Sequence, residues 1–157
     1  GERADMALYR LGECYKKLER FQEAKEAFQR IVDDYPASKL VADARFQIAL
    51  CSKTASLKAP YTQEITKDAI EEFKEFVREH PDSAVIKDAK ASIDSLKGRE
   101  AESLFKIALF YEKQAKYSSA TIYYRDIIDK YPDSEWSAKS LAHLNIIEKK
   151  ESRKDRK

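Results

Sequence analysis

The side chains in this sequence that could carry chemistry are few and scattered. Two cysteines (Cys14, Cys51), two histidines (His80, His143) and the carboxylate pairs Asp33-Asp34 and Glu71-Glu72 make up the inventory. A zinc site needs three or four ligands brought together, and the two imidazoles fall one at a helix exit and one in the last helical stretch. A nucleophilic thiol needs a base beside it, and neither cysteine has a histidine near it in the pattern. The three glycines, Gly1, Gly12 and Gly98, cannot build a phosphate-cradling loop, and no HExxH or nucleophile-elbow spacing occurs. The carboxylate pairs sit on regular helical faces and read as solvated. The residues therefore predict no enzyme, no cofactor and no metal.

Charge excludes further classes. Thirty basic and 28 acidic side chains leave a net +2, too balanced to demand nucleic acid or an anionic membrane as a partner. No run of 18 apolar residues is present, so the sequence predicts no transmembrane segment. Gly1 reads as the start of a trimmed chain without a signal peptide.

What remains is binding, and the elements that would present a binding surface are legible. From Ala101 to Ser134 the residues Leu104, Ile107, Ala108 and Tyr111 fall at helical spacing, a polar turn follows, and a second stripe runs through Ala120, Tyr124 and Ile127 to Tyr131-Pro132. This is a helical hairpin of about 34 residues, the period of a tetratricopeptide unit, whose pattern it resembles. Ninety-six residues earlier the same places hold Leu8, Leu11, Gly12, Tyr15, Ala24, Phe28, Ile31 and Pro36. Small residues at Gly12, Ala24, Ala108 and Ala120 let paired helices approach to about 8–10 Å. Large rings at Tyr15, Phe28, Tyr111 and Tyr124 fill the flanking space, and Pro36 and Pro132 end the second helices.

Between these hairpins a first helix from Ala42 to about Ser56 places Ile48, Ala49 and Cys51 where Leu11, Gly12 and Cys14 stood, 37 residues on. Its return helix, marked by Ala69, Phe73, Phe76 and Pro81, arrives eight residues late, so Leu57 to Thr66, with Pro60, reads as a longer loop. No proline lies between Ser83 and Gln114, which predicts one continuous helix of about 30 residues, since a glycine inside a helix costs only about 1 kcal/mol. Ser38, Ser83 and Ser134 read as helix N-caps. The expected architecture is all-α: a tetratricopeptide-like right-handed α-solenoid of about three hairpins with one long central helix. It forms a single domain over 1–150, with hairpins near 3–35, 38–80 and 83–131, a capping helix at 134–150 and a charged tail at 151–157. Cys14 and Cys51 are expected as buried free thiols, and Trp136 as a core residue of the capping helix.

Two features go beyond the generic repeat. The exits Tyr35-Pro36-Ala37-Ser38, His80-Pro81-Asp82-Ser83 and Tyr131-Pro132-Asp133-Ser134 recur, and the order is a regular unit, a unit with an inserted segment, a long helix, a regular hairpin and a closing helix. This order resembles the BamD family, also called YfiO, the periplasmic tetratricopeptide lipoproteins of the outer-membrane β-barrel assembly machinery, over Ala4 to about Ile147. The resemblance implies a non-catalytic scaffold at the periplasmic face of the outer membrane. Its membrane contact would be only an N-terminal lipid absent from this chain. The implied partners are the barrel-inserting outer-membrane subunit, near Lys87 to Tyr124, and β-barrel precursors, near Arg3 to Leu50. The exits alone are shared with other envelope proteins, so the alternative is a general tetratricopeptide adaptor of the bacterial envelope, Tol-Pal or cell-division associated, or of the cytosol.

First helices of such repeats line a concave surface, and the residues between packing positions point into it. Those are Tyr9, Glu13 and Lys16, then Phe46, Leu50 and Lys53, then Phe105, Leu109 and Glu112. Phe46, Leu50, Phe105 and Leu109 are not needed for contacts within a hairpin. They predict a groove for an extended or helical peptide, with burial against neighbouring helices as the competing outcome.

Overall fold

The computed structural model describes residues 2–59 and 63–156, and among them every regular element is an α-helix. The seven helices are α1 (Glu2–Lys17), α2 (Phe21–Asp34), α3 (Val41–Lys58), α4 (Gln63–Glu79), α5 (Ile86–Lys113), α6 (Tyr117–Lys130) and α7 (Glu135–Lys154). The chain divides into two compact units, Gly1–Leu96 and Lys97–Lys157, and the division falls inside α5.

In the N-terminal unit α2 is amphipathic, burying Ala24, Ala27, Phe28 and Ile31 at i, i+3, i+4 and i+7. Gly12 of α1 meets Phe28 so closely that an added Cβ would lie 2.6 Å from the ring. The small residue expected at the helix crossing is therefore required. Helix α3 is apolar on two faces: Ala44, Ile48 and Cys51 join Leu8, Phe28 and Ile31. Ala42, Phe46, Ala49 and Leu50 join Ala69, Ile70, Phe73 and Phe76 of α4, with Ala89 and Leu96 of α5. A helix flanked on both sides must be apolar on both. Across the unit, Lys25 of α2 pairs with Glu72 of α4 at 2.6 Å, both partly buried, so Glu72 is not the freely solvated carboxylate expected of the Glu71-Glu72 pair.

In the C-terminal unit Ala101, Phe105 and Ala108 of α5 form one core with Ala120, Tyr124 and Ile127 of α6 and Leu144 and Ile147 of α7. Both regular hairpins turn in the same way. Arg20 N–H donates to Tyr15 C=O and Glu19 N–H to Lys16 C=O, while Lys116 donates to Tyr111 and Ala115 to Glu112. Each is a Schellman closure, with Glu19 (φ 58°) and Ala115 (φ 57°) in the left-handed region that glycine would enter more readily.

The exits also share one geometry: Ser38, Ser83 and Ser134 N–H groups donate to the carbonyls of Tyr35, His80 and Tyr131 at 2.9, 3.1 and 3.1 Å. Only Ser134 is a true N-cap, accepting from Ser137 N–H. Helix α3 starts at Val41, and the Ser38 hydroxyl instead accepts from Leu40 N–H at 3.1 Å and donates to Asp5 of α1. Ser83 behaves like Ser38, accepting from Val85 N–H.

Several expectations are corrected. The inserted segment is mostly helix rather than loop, because α3 runs on to Lys58 and α4 begins at Gln63; Pro60 lies outside the described residues. Leu11, expected to pack, is 42% exposed, the contact being made by Leu8. Cys14 is exposed, while Cys51 is buried against α2. The charged segment is no correction, since a solvated helix end is one of the forms expected of it and α7 runs exposed as far as Lys154. The long central helix is present as α5, 28 residues running unbroken through Gly98.

Candidate functional site

In the N-terminal unit the expected contact residues are partly drawn into packing. Tyr9 meets Phe28 edge-on at 5.2 Å, and burial raises its phenol above the ordinary value. Lys16 donates from Nζ to Gln47 Oε1 on α3, whereas Glu13 is exposed. Phe46 lies between Phe73 and Phe76, with ring centroids 6.0 and 5.4 Å away, and Leu50 packs on the same cluster. Lys53 Nζ donates to Ser92 Oγ of α5 at 3.0 Å. Phe46, Leu50 and Lys53 thus share the α3 face that receives α4 and α5, while Tyr9 and Lys16 face the cluster of α2 and α3.

In the C-terminal unit Phe105 is 6% exposed. Tyr124, Trp136 and His143 surround it at 5.5, 5.2 and 5.3 Å. The expectation of an open groove at Phe105 is corrected, because α7 lays Trp136 and His143 over the ring. Trp136 packs on this core while Lys139 Nζ stands 4.2 Å over its outer face. Leu109 is partly buried beside the same core.

Glu112 is the centre of the unit's polar chemistry. Its Oε2 accepts from the Tyr124 hydroxyl at 2.6 Å and lies 2.7 Å from His143 Nδ1. The imidazole also stacks on the Tyr124 ring at 5.3 Å. Burial, reinforced by the Glu112 carboxylate, holds the Tyr124 phenol far above its ordinary range, so the tyrosine stays a donor. Tyr131 is raised in the same way by burial and by Glu100, to which its hydroxyl donates at 2.7 Å. The arrangement ties one helix of each kind, α5, α6 and α7, through one carboxylate. It holds the three helices in place.

The cluster was within reach of the sequence. Glu112, Tyr124 and His143 lie 96 residues beyond Lys16, Phe28 and Gln47, so extending the repeat register past the exit proline would have placed them together.

Burial pushes the Cys51 thiol up to about 11, leaving it protonated and inert at neutral pH. Among the described residues, no group of three or more His, Cys, Asp or Glu side chains could hold a metal ion, and no helix is long and apolar enough to cross a membrane.

What the surface does offer is exposed apolar area. Phe110 and Ile122 are 57% and 67% exposed on α5 and α6, and Leu141 and Ile146 are 54% and 45% exposed on α7. Phe110 rests edge-on against Tyr111 at 5.7 Å, and Tyr111 in turn stacks on Tyr123. A ring held from below and open above is the kind of side chain that anchors protein partners.

Comparison with known proteins agrees with a protein-binding scaffold. Residues 6–38 match the model of a tetratricopeptide repeat. No curated protein matches the chain. Residues 48–157, more than half of the chain, match the family model YfiO, described as an outer membrane lipoprotein, and the chain therefore belongs to the YfiO outer membrane lipoprotein family, as a tetratricopeptide scaffold that binds proteins.

Proposed function

We propose that this protein is a non-catalytic docking subunit of the outer-membrane β-barrel assembly machinery, acting at the periplasmic face of the outer membrane. The YfiO match over residues 48–157 supports the reading. The observation that carries it on the surface is Phe110, a half-open aromatic ring braced by Tyr111 within the segment Lys87 to Tyr124. That segment docks the periplasmic domains of the barrel-inserting subunit. Precursor segments are received between Arg3 and Leu50, where Glu13 is open to solvent and the edges of Tyr9, Lys16 and Phe46 are partly so. Leu50, Lys53, Leu109 and Glu112 then act through packing and by holding neighbouring helices, with their partly exposed edges as contacts.

The test is direct binding of the purified protein to the periplasmic domains of a barrel-inserting subunit by calorimetry. Phe110→Ser should weaken binding at least tenfold with an unchanged melting temperature, because the ring is more than half exposed. Absence of binding by the unaltered protein would overturn the reading.

A further inference from the structure

Helices α3 and α7 occupy the same place in their units, each following a Pro-x-Ser exit, and their residues correspond 96 positions apart. The face that each turns to the preceding hairpin is buried alike. Ala44, Ile48 and Cys51 are 0%, 8% and 0% exposed, and their counterparts Ser140, Leu144 and Ile147 are 0%, 8% and 1%. The other face differs. On α3 it holds α4: Ala42, Phe46, Ala49 and Leu50 pack on the α4 stripe, and Arg45 pairs with Glu75 and Glu79 at 3.4 and 3.1 Å.

On α7 the corresponding positions are Ala138, Leu141, Ala142, Asn145 and Ile146, and all are exposed. Ala138 and Ala142 form a low floor between the shoulders Leu141 and Ile146, as helical spacing requires. Toward the C-terminus the same face becomes basic. Lys149, Arg153 and Arg156, with Asn145 and Ser152 and with Glu148 at the margin, line an open depression.

From this we infer that α7 is a seat for an amphipathic α-helix of a protein partner, acidic in its N-terminal half and running antiparallel to α7. The occupant's chemistry follows from two observations. The chain shows what fills the equivalent face: α4 carries an apolar stripe with Glu and Asp at six positions against Lys or Arg at three. The charge on α7 asks for the same, and an antiparallel helix brings its N-terminal half to Lys149, Arg153 and Arg156, where acidic side chains also suit its own dipole. An apolar stripe against Leu141, Ala142 and Ile146 supplies the burial.

The inference rests on the protein-binding reading above and goes beyond it to one partner class and one helix face. The probe is a labelled synthetic peptide with the α4 sequence, Gln63–Glu79, titrated into the whole protein. Saturable binding is expected, weakening as salt rises. Leu141→Glu combined with Ala142→Glu should reduce affinity at least tenfold. Arg153→Glu combined with Arg156→Glu should reduce it about as much and remove the salt dependence. All four positions are exposed, so circular dichroism should show intact helices. A peptide of the same composition in scrambled order should not bind.

Binding that survives both double variants, or no binding at all, overturns the seat. So does sedimentation showing that the face joins two copies of this chain, with dissociation on Leu141→Glu. Binding of the barrel-inserting subunit, measured in the same variants and in Phe110→Ser, separates this failure from failure of the docking reading.

Discussion

The first hairpin, α1 with α2, and the third, the C-terminal part of α5 with α6, share one register yet close their tightest contact differently. In the first, Gly12 lies under Phe28 with no room for a methyl group. In the third, Ala108 is fully buried in the same place, opposite Tyr124. The difference follows the residues around the ring. Tyr124 is tethered through its hydroxyl to Glu112, whereas Phe28 has no polar tip and position 16 is a lysine that reaches across to Gln47. At the next helix His143 replaces Gln47, and it meets the carboxylate that replaced the lysine. Ring, tether and partner change together, so the same backbone scaffold accepts an apolar lock in one unit and a polar lock in the other.

Substitutions can break or sharpen this contrast. The largest effect is expected at the apolar lock: Phe28→Ala leaves a cavity beneath a fully buried ring and should cost about 3–5 kcal/mol in denaturant unfolding. A loss below about 1 kcal/mol would show that the first hairpin does not depend on that ring.

At the polar lock, Tyr124→Phe keeps the ring but removes a hydrogen bond to a charged group, at a cost of about 1.5–3 kcal/mol. The same variant bears on pH. Tyr124 and Tyr131 have phenols raised by burial and by their carboxylate partners, so their contribution is complete below about pH 10 and is lost as pH rises beyond it. Asp5 behaves oppositely: the Ser38 hydroxyl holds its carboxyl below the usual range. Its contribution is complete above about pH 4 and is lost on acidification. Melting temperature against pH should therefore show an alkaline fall that Tyr124→Phe flattens and an acid fall that Asp5→Asn flattens. Tyr9 adds to the alkaline fall with the same sign.

Exchange of the small residues is the next step down. Gly12→Ala should cost about 1–3 kcal/mol by forcing the Phe28 ring to move, and Ala108→Gly about 1–2 kcal/mol through helix propensity and the loss of a buried methyl group. A gain of about 1 kcal/mol on Gly12→Ala would instead mean that Phe28 yields freely and that only the better helix propensity of alanine is felt. The smallest effect is a gain. Ser140 Oγ is buried without a partner, and its counterpart is Ala44, so Ser140→Ala should stabilise the C-terminal unit by about 1 kcal/mol, read from its melting temperature.

Much of the fold was legible because helix pairing imposes local rules. The i, i+3, i+4 stripes of α2 and α6, the breaks at Pro36 and Pro132 and the unbroken run of α5 each depend on residues within a few turns of one another. The inserted segment was misread because proline marks a boundary only near itself: α3 continues to Lys58, two residues short of Pro60. The candidate site was less legible. Phe46 and Phe105 lie between the packing positions of their own hairpins, and only the neighbouring helix determines whether such a ring is open. For Phe105 that neighbour is α7, some 30 residues downstream.

The sequence alone determined that this chain is helical, where most of its helices turn and end, and which residues must be small, because those properties follow from backbone geometry and short-range packing. Tertiary structure decided which apolar side chains remain in water. Leu11, Phe110, Leu141 and Ile146 carry the same hydrophobicity as their buried neighbours, and exposure depends on whether another helix arrives to cover them.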